Sequence, residues 1–171
     1  MRWLALSGYM GAGKSVVGRR VAARLDTVFI DSDRAIEERA GMTIPEIFDK
    51  RGELWFRRTE EDVIREILQG DEPGVLALGG GALLSTRTQG LLARRSWLVW
   101  LRVSPEVAWT RVEGSDRPLA VNRERFLARA EQREPIYRES ADLEVACDDP
   151  PDEVAGRVVA WAQTRAATDP D

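Results

Sequence analysis

Short apolar runs rich in Val, Leu and Ile alternate along the chain with longer stretches of helical period, the pattern of a parallel sheet covered by helices. The apolar runs predict strands over residues 3–7, 27–31, 74–78, 96–102 and 143–147. The helical spacing predicts helices over 14–25, 33–40, 43–68, 86–94, 105–112, 123–140 and 152–164. The third of these is expected to break near Arg51-Gly52, because glycine costs about 1 kcal/mol in a helix interior. Thr43 ahead of Pro45 and Glu46 reads as a capping-box start, and Ser104-Pro105 puts proline at the first helical position. The expectation is an α/β fold with five strands, one domain over about residues 1–165, and a polar, proline-containing tail at 166–171 that frays.

Composition narrows the chemistry. A chain of 171 residues with 43% hydrophobic content can bury one core. Its 32% charged residues interleave both signs to a net charge of −4, which gives no reason to expect a nucleic-acid or anionic-membrane partner. Cys147 is the single cysteine and there is no histidine, so disulfide frameworks, Cys/His zinc sites and Ser-His-Asp triads are excluded. Catalysis must rest on carboxylates, Lys, Arg, backbone amides or a bound metal. The first strand turns glycine-rich too soon for a signal peptide, and no run of about 18 apolar residues follows, so a cytoplasmic location is expected.

The strongest motif is Gly8-Tyr9-Met10-Gly11-Ala12-Gly13-Lys14-Ser15, which follows an apolar strand and opens a helix. In that context the glycines let backbone amides turn toward a polyphosphate, and the helix N-terminus adds positive potential. Lys14 would reach the β- and γ-phosphates of ATP, and Ser15 would ligate Mg²⁺. Only Lys14 and Lys50 are lysines among 25 basic residues, so a lysine here reads as chemically required.

Asp31-Ser32-Asp33 closes the second strand, at the edge of an open parallel sheet where ligands bind. One carboxylate could hold water on Mg²⁺ and the other could accept a hydroxyl proton; alternatively Asp33 only caps the following helix. Arg57 lies one turn from Glu60 and Glu61, so a carboxylate could orient it toward a small acid, unless this is a solvated salt-bridged face. Gly79, Gly80 and Gly81 follow the third strand and allow close backbone approach to a ligand, with successive N–H groups forming an anion-binding concavity, or else make a flexible turn. Between the fourth and fifth strands, Arg117 is the candidate for transition-state charge and Arg133 for a substrate anion. Outside the context of the phosphate loop, both would read as surface arginines.

Taken together, these segments resemble shikimate kinase, within the nucleoside monophosphate kinase-like group of P-loop proteins. The resemblance runs in family order through the phosphate loop, Asp31-Ser32-Asp33, Gly52-Glu53 with Phe56-Arg57-Arg58, Leu78-Gly79-Gly80-Gly81, Arg117-Pro118-Leu119 and Arg133-Glu134-Pro135-Ile136-Tyr137. It implies a three-layer P-loop NTPase fold with a parallel sheet of order 2-3-1-4-5, a substrate-binding segment near 33–61 and a mobile lid near 112–124. It also implies a monomer that uses ATP and Mg²⁺ to phosphorylate the 3-hydroxyl of shikimate in aromatic amino acid biosynthesis. By matching position, Gly11, Ala12, Gly13, Lys14, Ser15 and Val16 would hold the phosphates, with Arg117 as the lid arginine. Arg111 would stack on adenine, and residues 148–151 would flank it. Asp31 would support Mg²⁺ with Ser15. Asp33 would bind ring hydroxyls and act as base, Arg57 and Arg133 would hold the carboxylate, and Gly79 to Gly81 would line the pocket. The chain departs from the family pattern at Ala120-Val121, where a second leucine is common, and in a short spacing from Arg111 to Arg117. Two rivals share the phosphate loop: another small-molecule kinase such as a gluconate kinase, and a nucleotide-binding module without activity.

Overall fold

A computed structural model describes residues 2–114 and 122–168. Five strands, β1 (Trp3–Ser7), β2 (Phe29–Asp31), β3 (Val75–Ala77), β4 (Ser96–Arg102) and β5 (Leu143–Ala146), form one sheet of order β2-β3-β1-β4-β5 with every pairing parallel. This is the expected topology. β2, β3 and β5 are shorter than their apolar runs. Thr27 instead hydrogen-bonds through its backbone N–H to Ala22 and through its hydroxyl to Pro73, outside the ladder.

Helices α1 (Lys14–Leu25), α2 (Ser32–Ala40), α3 (Ile44–Gln69), α4 (Thr86–Arg95), α5 (Pro105–Val112), α6 (Arg123–Ser140) and α7 (Pro151–Thr168) follow the predicted periodicity. α3 kinks at Gly52, whose φ of 80° and ψ of 166° are not helical. The Thr43–Glu46 capping box forms at its start. α7 runs on to Thr168, so residues 166–168 are helical where a frayed tail was expected.

Side-chain alternation along β1 explains the layering. Leu4 and Leu6 face α1 and α7, packing with Val17, Val21, Val154 and Val158. Trp3 and Ala5 face the opposite layer, with Ile64 and Leu68 of α3, Leu92 of α4 and Phe126 of α6. A smaller core of Ile36, Ile47, Phe56 and Val63 joins α2 to α3. The register sets Asp31 beside Ala77 and Ala77 beside Leu6, so the residues that follow β1, β2 and β3 emerge along one edge. β1 has β3 on one side and β4 on the other, which puts the loop after β1 where an open α/β sheet binds ligands.

Candidate active site

The loop from Gly8 to Gly13 leads into α1 with no side-chain cap and no acidic residue in the first turn, whereas α2, α4, α5 and α6 are each capped by a side chain. The positive end of α1 is therefore left for an external anion. Gly11 must be glycine on two counts. Its φ is +86°, and a Cβ would stand 2.6 Å from the carbonyl oxygen of Ala108. Lys14 Nζ donates to the carbonyls of Gly8 at 2.7 Å and Tyr9 at 3.2 Å, folding its charge back along the loop.

Ser15 Oγ donates to Asp31 Oδ2 at 2.5 Å, which joins the start of α1 to the end of β2. Asp31 is also the N-cap of α2, accepting from the backbone N–H of Asp33 at 3.1 Å. The alternative reading, in which Asp33 only caps the helix, does not hold, because Asp31 supplies that cap. The chain turns into α2 at Ser32, so Asp33 sits in the first helical turn with its carboxylate at the cleft.

Asp33 meets a second carboxylate there. A Cβ at Gly79 would lie 2.6 Å from Asp33 Oδ1 and 2.7 Å from Glu60 Oε1, so both acids press on the same glycine. Glu60 is 3% exposed, and its Oε1 has no hydrogen-bond partner among the described residues. Its Oε2 accepts from Arg57 Nη1 at 2.7 Å, and Glu53 accepts from Arg57 Nη2 at 3.3 Å. Of the two acids expected to orient Arg57, Glu60 does so, while Glu61 stands 3.9 Å from Arg87. Burial raises the Glu60 carboxyl above its ordinary value; Arg57 opposes this, and the charge of Asp33 adds to it.

The three glycines divide their tasks. The N–H of Gly79 donates to the buried Ser32 Oγ at 2.9 Å, so this amide is engaged within the protein and is not open to an anion as a concavity would require. The carbonyl of Gly80 accepts from Arg133 Nη1 at 3.1 Å and from the Tyr137 hydroxyl at 2.5 Å. Gly81 lies against Arg57, whose Nη1 would be 2.3 Å from a Cβ. Two guanidinium groups and two carboxylates therefore converge on one three-residue segment.

One cleft of about 840 Å³ joins these groups, and its lining includes Lys14, Ser15, Asp31, Asp33, Arg57 and Arg133. Phe48 and Phe56 add apolar surface to it. Arg111 donates to the carbonyls of Gly11 and Cys147, both at 3.1 Å, beside a recess of about 240 Å³ lined also by Gly13, Val16, Asp149 and Pro151. Arg117 lies outside the described residues, as does most of the expected lid.

Sequence reasoning did not single out Ser32, Tyr9 or Phe48. Ser32 alone carried a signal, as a hydroxyl between two carboxylates at a strand end. Among the described residues no three Cys, Asp or Glu side chains form a metal cluster. Ser15 and Asp31 put a hydroxyl and a carboxylate side by side, two oxygen donors of the type a hard cation such as Mg²⁺ would take.

An uncapped phosphate loop beside a carboxylate pair, opening onto an arginine-bearing cleft, defines a P-loop phosphotransferase for a small anionic acceptor. Known proteins agree. The model of the shikimate kinase family matches residues 10–163. The shikimate kinase of Nitrobacter winogradskyi is 49% identical over 157 residues, covering 88% of this chain and 71% of that protein. That of Ruegeria pomeroyi is 42% identical over 168 residues, covering 95% and 85%. The structure of the Acinetobacter baumannii shikimate kinase, solved in complex with shikimate, superposes with a TM-score of 0.91 at 34% identity, covering 96% of this chain and 94% of that one. A gluconokinase from Sinorhizobium meliloti shares the fold, with a TM-score of 0.63 at 19% identity, covering 98% and 94%. The chain belongs to the shikimate kinase family. It is accordingly an ATP-dependent kinase of a small-molecule hydroxyl.

Proposed function

We propose that the chain transfers the γ-phosphoryl group of ATP to the 3-hydroxyl of shikimate, giving shikimate 3-phosphate and ADP, and that it works as a cytoplasmic monomer in aromatic amino acid biosynthesis. The observation that carries this reading is the convergence of Arg57, Arg133, Asp33 and Glu60 on Gly79, Gly80 and Gly81, beside the phosphate loop. Two guanidinium groups suit one carboxylate, and carboxylate acceptors suit ring hydroxyls.

In this reading Gly11, Ala12, Gly13, Ser15 and Val16 hold the nucleotide phosphates through backbone N–H groups. Lys14 exchanges the carbonyls of Gly8 and Tyr9 for phosphate oxygens. Ser15 and Asp31 are the residues that would hold Mg²⁺, which would supply neutralisation of phosphate charge. Arg57 and Arg133 grip the shikimate carboxylate. Asp33 accepts hydrogen bonds from the ring hydroxyls and takes the proton of the attacking one. Arg111, with the recess beside Asp149 and Pro151, takes the adenine. Arg117 supplies charge to the transferring group.

A coupled ADP-release assay tests the function, with shikimate, gluconate and a nucleoside monophosphate as acceptors. Shikimate alone is expected to support turnover; turnover of gluconate without shikimate would refute the reading. Asp33→Asn is expected to spare ATP affinity and abolish turnover. Equal loss of both would remove Asp33 from its role as base.

A further inference from the structure

One aromatic residue of the phosphate loop is not used by nucleotide chemistry. Tyr9 is 5% exposed and does not line the cleft. Its backbone serves the loop, the carbonyl accepting from Lys14 Nζ at 3.2 Å and from the N–H of Ala12 at 3.1 Å. Its side chain serves α6. The ring meets Phe126 edge-on at 4.8 Å between centroids, and the hydroxyl donates to the Phe126 carbonyl at 3.3 Å. Arg129 adds a hydrogen bond and charge near the phenol. One turn further along α6, Arg133 Cζ stands over the Tyr9 ring, 5.7 Å from its centroid.

That distance is within cation–π range. The Arg133 head also donates to the Gly80 carbonyl at 3.1 Å, an acceptor it shares with Tyr137, whose phenol is itself within hydrogen-bonding reach of the guanidinium. Hydrogen bonds at its edge fix where a guanidinium sits but leave its plane free to tilt, whereas a ring face against it restricts the tilt. Arg133 is 9% exposed, so little solvent competes for that face.

We propose that Tyr9 is a positioning residue for the acid substrate: its ring is the platform that holds the Arg133 guanidinium ready for a carboxylate. A phosphate-loop residue thereby serves the acceptor through its side chain and the nucleotide only through its backbone. The inference rests on the role of Arg133 proposed above.

The test is steady-state kinetics of Tyr9→Leu and Tyr9→Phe. Tyr9→Leu is expected to raise the shikimate KM about fivefold to thirtyfold, the range of a desolvated cation–π contact. The ATP KM and kcat should stay within about threefold, since the loop carbonyl is retained. Tyr9→Phe keeps the ring and should restore the wild-type shikimate KM. With the neutral carboxamide of shikimate as acceptor, wild type and Tyr9→Leu should perform alike, because no carboxylate reaches Arg133. Should Tyr9→Leu fail to fold, fluorinated phenylalanines at position 9 decide the matter. They weaken the ring face at nearly constant shape, and the shikimate KM should climb with each fluorine. A flat fluorine series, an ATP KM that rises in parallel, or a Tyr9→Phe as impaired as Tyr9→Leu would overturn the proposal. Absence of shikimate turnover by the wild type is a separate result, which overturns the substrate assignment and this inference together.

Discussion

Replacing Glu60 by glutamine probes the pocket at its most heavily buried charge. Glu60 Oε2 holds Arg57 Nη1 at 2.7 Å, with the side chains 4% and 22% exposed respectively. Removing one partner of a fully buried pair costs about 3–5 kcal/mol. Glutamine still offers Arg57 an acceptor oxygen, Glu53 remains at 3.3 Å, and Arg57 keeps some solvent. The loss falling on Arg57 orientation is thus about 2 kcal/mol, or roughly thirtyfold in the shikimate KM. The pH dependence has two opposite signs. Burial raises the Glu60 carboxyl above its ordinary 4.5. As pH falls from neutrality through that raised value, Glu60 takes a proton, Arg57 loses its ionic partner, and the wild-type shikimate KM rises. For folding, the native chain keeps this proton where the unfolded chain has released it, so the contribution of Glu60 to stability declines as pH rises from about 4.5 through the raised value. Glu60→Gln abolishes both slopes. The assay is shikimate and ATP KM measured from pH 5 to 8, with thermal melts over the same series. A shikimate KM within twofold of wild type at neutral pH, or an ATP KM that shifts equally, would refute the reasoning.

Ser32→Ala leaves the Gly79 N–H buried without its 2.9 Å acceptor, so the urea midpoint should fall by the equivalent of about 1–3 kcal/mol at unchanged m-value, and an unaltered midpoint would contradict the contact. Gly81→Ala drives a methyl into the Arg57 guanidinium at 2.3 Å. The displaced atoms are the end of a flexible side chain, so the melting temperature should hold while the shikimate KM rises about tenfold or more, and isothermal titration should find ADP affinity unchanged. Cys147 is buried and its thiol is pushed up to about 11 by that burial, with Asp148 adding to the rise and Arg111 and Arg157 opposing it. An aromatic disulfide reagent at pH 8 should therefore modify it slowly in the native protein and quickly in urea; equal rates would count against its burial.

The strands were legible because each is a short apolar run between helical stretches, their order only through the family resemblance, and the phosphate loop because backbone cradling demands those glycines and that lysine. The substrate side was legible by residue type and less so by partnership. Arg57 had two candidate carboxylates one turn away, and only packing selects Glu60, since Glu61 turns toward Arg87. Asp31, and not Asp33 as the alternative reading had it, caps α2 because the chain enters the helix at Ser32, a boundary that periodicity places one residue late. The engaged amide of Gly79 depends on a hydroxyl 47 positions away, and the Tyr9–Arg133 contact joins residues on separate elements. Contacts of that range leave no local pattern in the chain. The extent of α7 was underestimated for a different reason, as its last turn is Ala- and Thr-containing and has no apolar stripe to mark it.

The central claim is that this cleft carries shikimate to the γ-phosphate of ATP. The most direct test incubates the purified chain with MgATP and shikimate and identifies the product by mass spectrometry and ³¹P NMR. The account predicts one phosphorylated shikimate per ADP formed, with the phosphate on the 3-hydroxyl. ADP formed at the same rate without shikimate, or phosphate found on gluconate instead when both acceptors are offered, would contradict it.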